Sequence, residues 1–104
     1  MPVTTIGATQ VHVDAEGFLT EYDEWSDDLA QHLAAAIGIE LTEAHWKAIR
    51  FLREDFKAQG ETATIRRVTT VGGIPTKELF TLFPKKPAKK MAYIAGLPKP
   101  HGCV

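Results

Sequence analysis

A long amphipathic helix near the middle of the chain is the feature that most constrains its fold. Its apolar residues recur every three or four positions, at Trp46, Ile49, Leu52 and Phe56. This spacing places them on one face of an α-helix. Thr42 supplies a capping hydroxyl before the run, and Gly60 ends it. The pattern therefore predicts a helix over residues 42–60.

Start and stop signals predict further helices on both sides of this one. Ser26 is a strong N-cap followed by two aspartates, and Gly38 stops the helix that it begins. Shorter helices are predicted over residues 64–71, 75–83 and 88–95, separated by glycine and proline. Helices therefore account for most of the predicted structure.

A short β-hairpin is predicted before the first helix. Val11 and Val13 alternate with His12, and the turn residues 14–17 lead into Phe18 and Leu19. At 104 residues and 44% hydrophobic, the chain has room for one domain, residues 1–104. The expected fold class is mainly α with a small hairpin (α+β), a small helical bundle that ends in a C-terminal arm.

Composition limits the chemistry that the chain can perform. One cysteine excludes an internal disulfide and argues against a zinc cluster, so we expect no metal and no cofactor. The four histidines, at 12, 32, 45 and 101, form no ligand pair, and His45 is interpreted as a packing or capping group. No apolar run or leader pattern points to a membrane or to export, and a free thiol suits a reducing cytoplasm.

Charge is divided unequally along the chain. Residues 1–60 carry 4 Lys+Arg against 11 Asp+Glu, a net −7, and residues 61–104 carry 8 against 2, a net +6. Arg50, Arg53, Glu54 and Asp55 are interpreted as ordinary charges on a helix surface. The candidate basic surface for an acidic partner or an anionic substrate comprises Arg66, Arg67, Lys85, Lys86, Lys89 and Lys90. A solvated lysine-rich face is the alternative.

The single cysteine, Cys103, is the penultimate residue of the sequence and follows an unusual segment. The segment consists of Gly96, Leu97, Pro98, Lys99, Pro100, His101 and Gly102. Its prolines stiffen the backbone and its glycines permit bends, so residues 96–104 are predicted to form a mobile arm of about 30 Å at full stretch. A frayed tail with an incidental cysteine is the alternative interpretation. An exposed thiol in an otherwise cysteine-free chain indicates use, and Lys99 and His101 are candidates to support its thiolate.

Nucleic-acid binding is a competing function. The predicted helix over 42–60, a turn at Gly60 and the helix that carries Arg66 and Arg67 have helix-turn-helix proportions. The isoelectric point near 6.4 argues against a dedicated nucleic-acid-binding protein. Binding to nucleic acid is therefore expected to be weak at most.

Several segments resemble the DsrC/TusE family from about Gly17 onward. They are the helix segment 45–56, the pair Ile65-Arg66, residues 82–84 and 87–89, and the end Ile94-Ala95-Gly96-Leu97-Pro98-Lys99-Pro100 with Cys103-Val104. The resemblance implies a sulfurtransferase-type carrier without independent turnover. Cys103 would accept persulfide sulfur from a relay complex and pass it to an acceptor thiol, toward tRNA 2-thiouridine or in cytoplasmic sulfur oxidation.

The resemblance also contains a departure. DsrC proteins proper carry a second cysteine at the position that Ala92 occupies here, so this chain is similar to the single-cysteine, TusE-like branch. A role as substrate or redox partner of dissimilatory sulfite reductase is the alternative that the family implies. The chain is expected to be a monomer that can form only an intermolecular disulfide on oxidation.

Overall fold

The computed structural model describes residues 3–6 and 9–98, which form five α-helices and a two-stranded sheet. The strands are β1 (Val3–Ile6) and β2 (Thr9–His12), and a 3-10 helix spans Tyr22–Glu24. The helices are α1 (Asp27–Ala36), α2 (Glu43–Gln59), α3 (Ile65–Thr70), α4 (Thr76–Leu82) and α5 (Pro87–Ile94). The predicted fold class, mainly α with a small hairpin, is confirmed.

The helix ends follow the predicted capping residues. The Ser26 hydroxyl accepts the amide hydrogen of Leu29 at 3.1 Å, and Thr64 caps α3 in the same way through the Arg67 amide. His45 Nδ1 accepts the amide hydrogen of Thr42 at 3.1 Å, and its Nε2 donates to the carbonyl of Leu82 at 2.7 Å. The interpretation of His45 as a capping and packing group is therefore confirmed.

The β-structure extends beyond the predicted hairpin. β1 and β2 pair antiparallel, with Val3 opposite His12. The predicted turn at 14–17 is present, but its flanks meet only in one bridge, between Val13 and Leu19. The Asp14 carboxylate stabilises this turn by accepting the amides of Glu16 and Phe18 at 2.9 and 3.0 Å. The chain after Leu19 turns into the 3-10 helix, so β2 takes β1 as its only paired strand within the described residues.

Two apolar clusters hold the elements together. The larger lies between α2, α3, α4 and α5 and contains Ile49, Leu52, Val68, Leu79 and Phe83. The smaller joins β2 to α1 through Val11, Leu19 and Leu33. Trp25 and Tyr93 pack against both clusters. No helix in the described part of the chain is long and apolar enough to cross a membrane.

A carboxylate ties the sheet to the 3-10 helix and makes stability depend on pH. Glu24 Oε1 accepts the His12 amide at 2.7 Å, and Oε2 lies 2.8 Å from His12 Nδ1. The backbone hydrogen bond from His12, followed by the side-chain one, lowers the pKa of Glu24. Because the folded pKa is lowered, this contribution is present above the unfolded pKa and is lost as pH falls through the folded value.

Glu24→Gln is therefore expected to lower the free energy of unfolding at pH 7. It should have less effect in acid, because the contribution of the carboxylate is lost progressively as pH falls from the unfolded pKa towards the lowered folded one. Urea unfolding of the variant and the parent at pH 7 and pH 3 measures this difference. Glu21→Gln, on an exposed neighbour, is the matched control. An equal loss for Glu24→Gln at both pH values would contradict the assignment.

Candidate functional site at the root of the C-terminal arm

The predicted arm is described only at its beginning. Gly96, Leu97 and Pro98 belong to the described structure, whereas Lys99, Pro100, His101, Gly102 and Cys103 lie outside the described residues. We refer to residues 94–98 as the arm root. The site can therefore be built from the residues that hold this root in place.

Gly96 ends α5 in a Schellman motif. Its φ of +70° is the left-handed conformation that glycine adopts without strain. The Gly96 amide donates to Tyr93 O at 3.3 Å, and the Leu97 amide donates to Ala92 O at 3.0 Å. These are the two hydrogen bonds of the motif, in which the residue after the glycine returns to pack on the helix. The glycine is thus a helix terminator whose next residue points back into the domain.

Leu97 is fully buried, with 0% of its surface exposed, in the larger apolar cluster. The next residue is held as well, because the Thr62 hydroxyl donates to Pro98 O at 2.8 Å. The structure therefore differs from the prediction of an arm that begins at Gly96. Gly96 and Leu97 are buried, and the exposed Pro98 is held through its carbonyl. The mobility of the arm beyond Pro98 stays a prediction.

Trp25 closes over the turn at Gly96. Its indole Nε1 donates to Ile94 O at 2.8 Å. A Cβ atom added to Gly96 would lie 2.4 Å from Trp25 Cδ1, so the two residues are in close contact. The residue at position 96 must therefore lack a side chain on two grounds, its backbone conformation and the indole above it.

Arg53 joins α2 to the arm root. Its guanidinium donates to Ala95 O at 2.7 Å and to Tyr22 O at 2.9 Å. It also lies 3.9 Å from the centre of the Tyr22 ring and 4.1 Å from that of Trp25. Burial is the main cause that lowers the pKa of this guanidinium, although arginine stays charged in proteins. The cation thus links carbonyls and rings from both ends of the chain.

The interpretation as surface charges is wrong for two residues, Arg53 and Asp55. Arg53 is half-buried in the cluster just described, and Asp55 is only 8% exposed. Asp55 accepts three hydrogen bonds of 2.7 to 2.9 Å from Arg67, which raise the pKa of that guanidinium. The hydrogen-bond partners of Arg53 and Asp55 are 12 or more positions away in the sequence. Helical periodicity therefore could not predict these contacts. A Gly-Leu pair at the end of a predicted helix did carry the signal for the buried Leu97.

The candidate basic residues separate into three groups. Arg67 is held by Asp55, whereas Arg66 is exposed on α3. The four lysines cluster at the start of α5, where the Lys90 ammonium donates to Pro84 O. Ala92, the position that the family resemblance matches to the second cysteine of DsrC proteins, lies on α5 with 0% of its surface exposed. The described residues contain no cluster of histidine, cysteine, aspartate and glutamate suited to a metal ion.

Fold and site together define a small helical domain whose last helix ends at Gly96, with Leu97 and Pro98 held against the domain. A family model described as "DsrC like protein" matches residues 5–104. The chain belongs to this DsrC-like family, and the family resemblance found in the sequence is confirmed.

Named relatives agree with this assignment. The chain is 39% identical over 102 residues to "Sulfurtransferase TusE" of Salmonella paratyphi A, covering 91% of this chain and 94% of that protein. It superposes on the NMR structure of Allochromatium vinosum DsrC with a TM-score of 0.81 at 37% identity, covering 98% and 97% of the two chains. The oxidized gamma-subunit of dissimilatory sulfite reductase (DsrC) from Archaeoglobus fulgidus gives 0.75 at 36% identity, with 99% and 100% covered.

Proposed function

We propose that this protein is a sulfur-relay carrier that accepts persulfide sulfur on Cys103 and passes it to a partner protein. The observation that carries the proposal is 39% identity to a sulfurtransferase TusE over 91% of this chain, combined with a single cysteine at the penultimate position. A reducing cytoplasm suits this role because it keeps the thiol free.

The proposed chemistry consists of two thiol exchanges. The Cys103 thiolate attacks the outer sulfur of a donor persulfide, R-S-SH, the S–S bond of the donor breaks, and R-S⁻ leaves. The product is Cys103-S-SH. An acceptor thiolate then attacks the outer sulfur of that persulfide and releases Cys103 as the thiolate. Sulfur is transferred without net oxidation, so neither metal nor cofactor takes part.

The packed arm root supports a shorter and better directed arm than the sequence suggests. With residues 96–98 held, Cys103 is five residues beyond Pro98, a reach of about 17 Å at full extension. An arm free from Gly96 onward would reach about 30 Å, but residues 96–98 are held against the domain. A donor or acceptor must therefore bring its own sulfur site close to the end of α5. The arm root would fix where a partner has to bind.

The single cysteine favours relay over intramolecular redox chemistry. With Ala92 in place of a second cysteine, Cys103 has no partner in its own chain for a disulfide. One relative is named as the gamma-subunit of dissimilatory sulfite reductase. Sulfite reductase is therefore the alternative partner for this chain. The partners that we favour are a persulfide-donor relay complex and a thiol acceptor protein. The sulfur would then be used for tRNA 2-thiouridine or in cytoplasmic sulfur oxidation.

Intact-mass spectrometry after incubation with glutathione persulfide tests the proposal. The parent is expected to gain about 32 Da, the mass of one sulfur atom, and to lose it when a reducing thiol is added. Cys103→Ser is expected to gain nothing. A parent that stays unmodified, or a serine variant that gains the same mass, would refute the carrier role.

A further inference from the structure

A groove at the start of α5 is not used by the proposed sulfur chemistry. Its volume is about 430 Å³, and it lies between α5, the end of α1 and the turn at 14–17. Phe18, Ile37 and Tyr93 form an apolar wall, and Lys86, Lys89 and Lys90 form a cationic one. Glu16 adds one carboxylate. We refer to this feature as the α5 groove.

The cations of the groove occupy a position that is unfavourable for the isolated domain. The N-terminus of a helix carries partial positive charge and favours acidic residues in its first turn. α1 follows this rule with Asp27 and Asp28, but α5 has no acidic residue there and has lysines at 85, 86, 89 and 90. Among the described residues, neither Lys86 nor Lys89 has an ion pair or a hydrogen bond from its ammonium group to another residue. An anion bound in the groove would offset this repulsion.

The backbone that presents these lysines is also strained. Lys85 and Lys86 have φ values of +58° and +39°, in the left-handed region that residues with a side chain rarely adopt. Such a conformation is unfavourable because Cβ approaches the following carbonyl oxygen. The strained pair directs the chain from α4 into α5 and places Lys86 at the edge of the groove. Strain of this kind clusters at binding sites.

The apolar wall distinguishes between anionic ligands. The rings of Phe18 and Tyr93 meet edge to face, with centroids 5.9 Å apart, and Ile37 lies half-buried beside them. Burial raises the pKa of Tyr93. Its phenol, which is protonated at neutral pH even without that shift, can donate a hydrogen bond to a carboxylate. A phosphate backbone would leave the apolar wall uncovered, whereas a peptide can fill it with one side chain and pair its carboxylates with the lysines.

We infer that the α5 groove binds an acidic protein segment that carries an aromatic or aliphatic side chain. The segment packs this side chain against the partly exposed Ile37 and Tyr93 and pairs its carboxylates with Lys86 and Lys89. The inference rests on the proposed function in one respect, since the segment would belong to a donor or acceptor of sulfur. Tyr93 lines the groove and accepts the Gly96 amide at 3.3 Å, so a bound partner lies beside the arm root.

NMR titration of the full chain, labelled with ¹⁵N, tests the inference. The probe is the peptide acetyl-Glu-Asp-Phe-Glu-Asp-amide, added at low salt to several millimolar. Amide shifts are expected at Phe18, Ile37, Lys89 and Tyr93. Replacing the peptide's phenylalanine with alanine, or its acidic residues with lysine, should weaken binding. Unchanged groove amides, or equal shifts with the lysine peptide, would overturn the inference.

Charge reversal locates the site on the protein. The double variant with Lys86→Glu and Lys89→Glu is expected to bind the peptide at least about tenfold more weakly, an effect that shrinks with added salt. The double variant with Lys47→Glu and Lys57→Glu, on the exposed face of α2, is the matched control and should bind as the parent does. Equal binding by both double variants would refute the assignment.

Two further measurements separate this inference from its alternatives. If a short DNA duplex shifts the groove amides more strongly than the peptide does, the groove is a phosphate-binding surface and the inference is wrong. Loading of Cys103 by glutathione persulfide is measured on the parent, independently of the peptide. Loss of loading in the parent would refute the carrier role and leave the peptide result standing, so the two failures are distinguishable.

Discussion

Arg53→Ala is expected to lower the free energy of unfolding by about 3 kcal/mol, because two hydrogen bonds from a charged group and two cation–π contacts are lost together. The carbonyls of Tyr22 and Ala95 lose their donors. Arg53→Lys keeps the charge but not the planar fork that reaches both carbonyls, so it should recover less than half of the loss. Urea unfolding followed by circular dichroism measures both variants.

Arg50→Ala is the matched control for this prediction. Arg50 lies on the same helix, but its side chain is 61% exposed and its ion pair with Asp27 is 3.5 Å long. Exposed pairs of this kind contribute about 0 to 1 kcal/mol. If Arg50→Ala and Arg53→Ala destabilise the protein equally, the contacts of Arg53 with the arm root do not stabilise the domain as proposed.

Gly96→Ala is expected to destabilise the domain by about 3 kcal/mol or more, since the left-handed backbone costs about 1 kcal/mol and the clash adds to it. The new methyl group would lie 2.4 Å from Trp25 Cδ1. The indole must move, and its hydrogen bond to Ile94 O and its contact with Arg53 are then disturbed. Urea unfolding measures the loss, and the indole Nε1–H signal in NMR reports the movement.

Gly38→Ala separates the clash from the backbone effect. Gly38 has nearly the same φ, +74°, but nothing lies within 4 Å of the position that its Cβ would take. This control should therefore lose only about 1 kcal/mol, the cost of the left-handed conformation. Similar losses of unfolding free energy for both glycine variants would show that Trp25 moves aside without cost and does not hold the arm root.

Local signals in the sequence predicted the helices and their ends well. Ser26, Thr42 and Gly60 act through neighbours within four positions, so a hydroxyl or a glycine at the right place is sufficient evidence. His45 was predicted for the same reason. Strand β1 (Val3–Ile6) was missed even though its β-branched residues favour a strand. The turn at 14–17 provided a more conspicuous hairpin signal, and only the structure shows that β2 pairs on its other side.

The sequence analysis missed the base of the candidate site, and the role of Cys103 at its other end stays a prediction. Cys103 and the prolines are evident from composition and position, whereas Arg53, Trp25 and Thr62 act on residues 42, 69 and 36 positions away. Arg50 and Arg53 look alike in the sequence, as charged residues one helical turn apart. Their environments differ because α5 and the 3-10 helix cover only one of them, which is a property of the tertiary fold.

The hydrogen bond from Trp25 to Ile94 also has a consequence for folding kinetics. It joins residues 69 positions apart, so a long loop must close before it can form. We therefore expect α5 to complete its packing after the folding transition state. Weakening the arm root should then accelerate unfolding and leave the folding rate nearly unchanged. The lifetime of the native domain is set by its unfolding rate. The residues that hold the arm root would therefore control this lifetime.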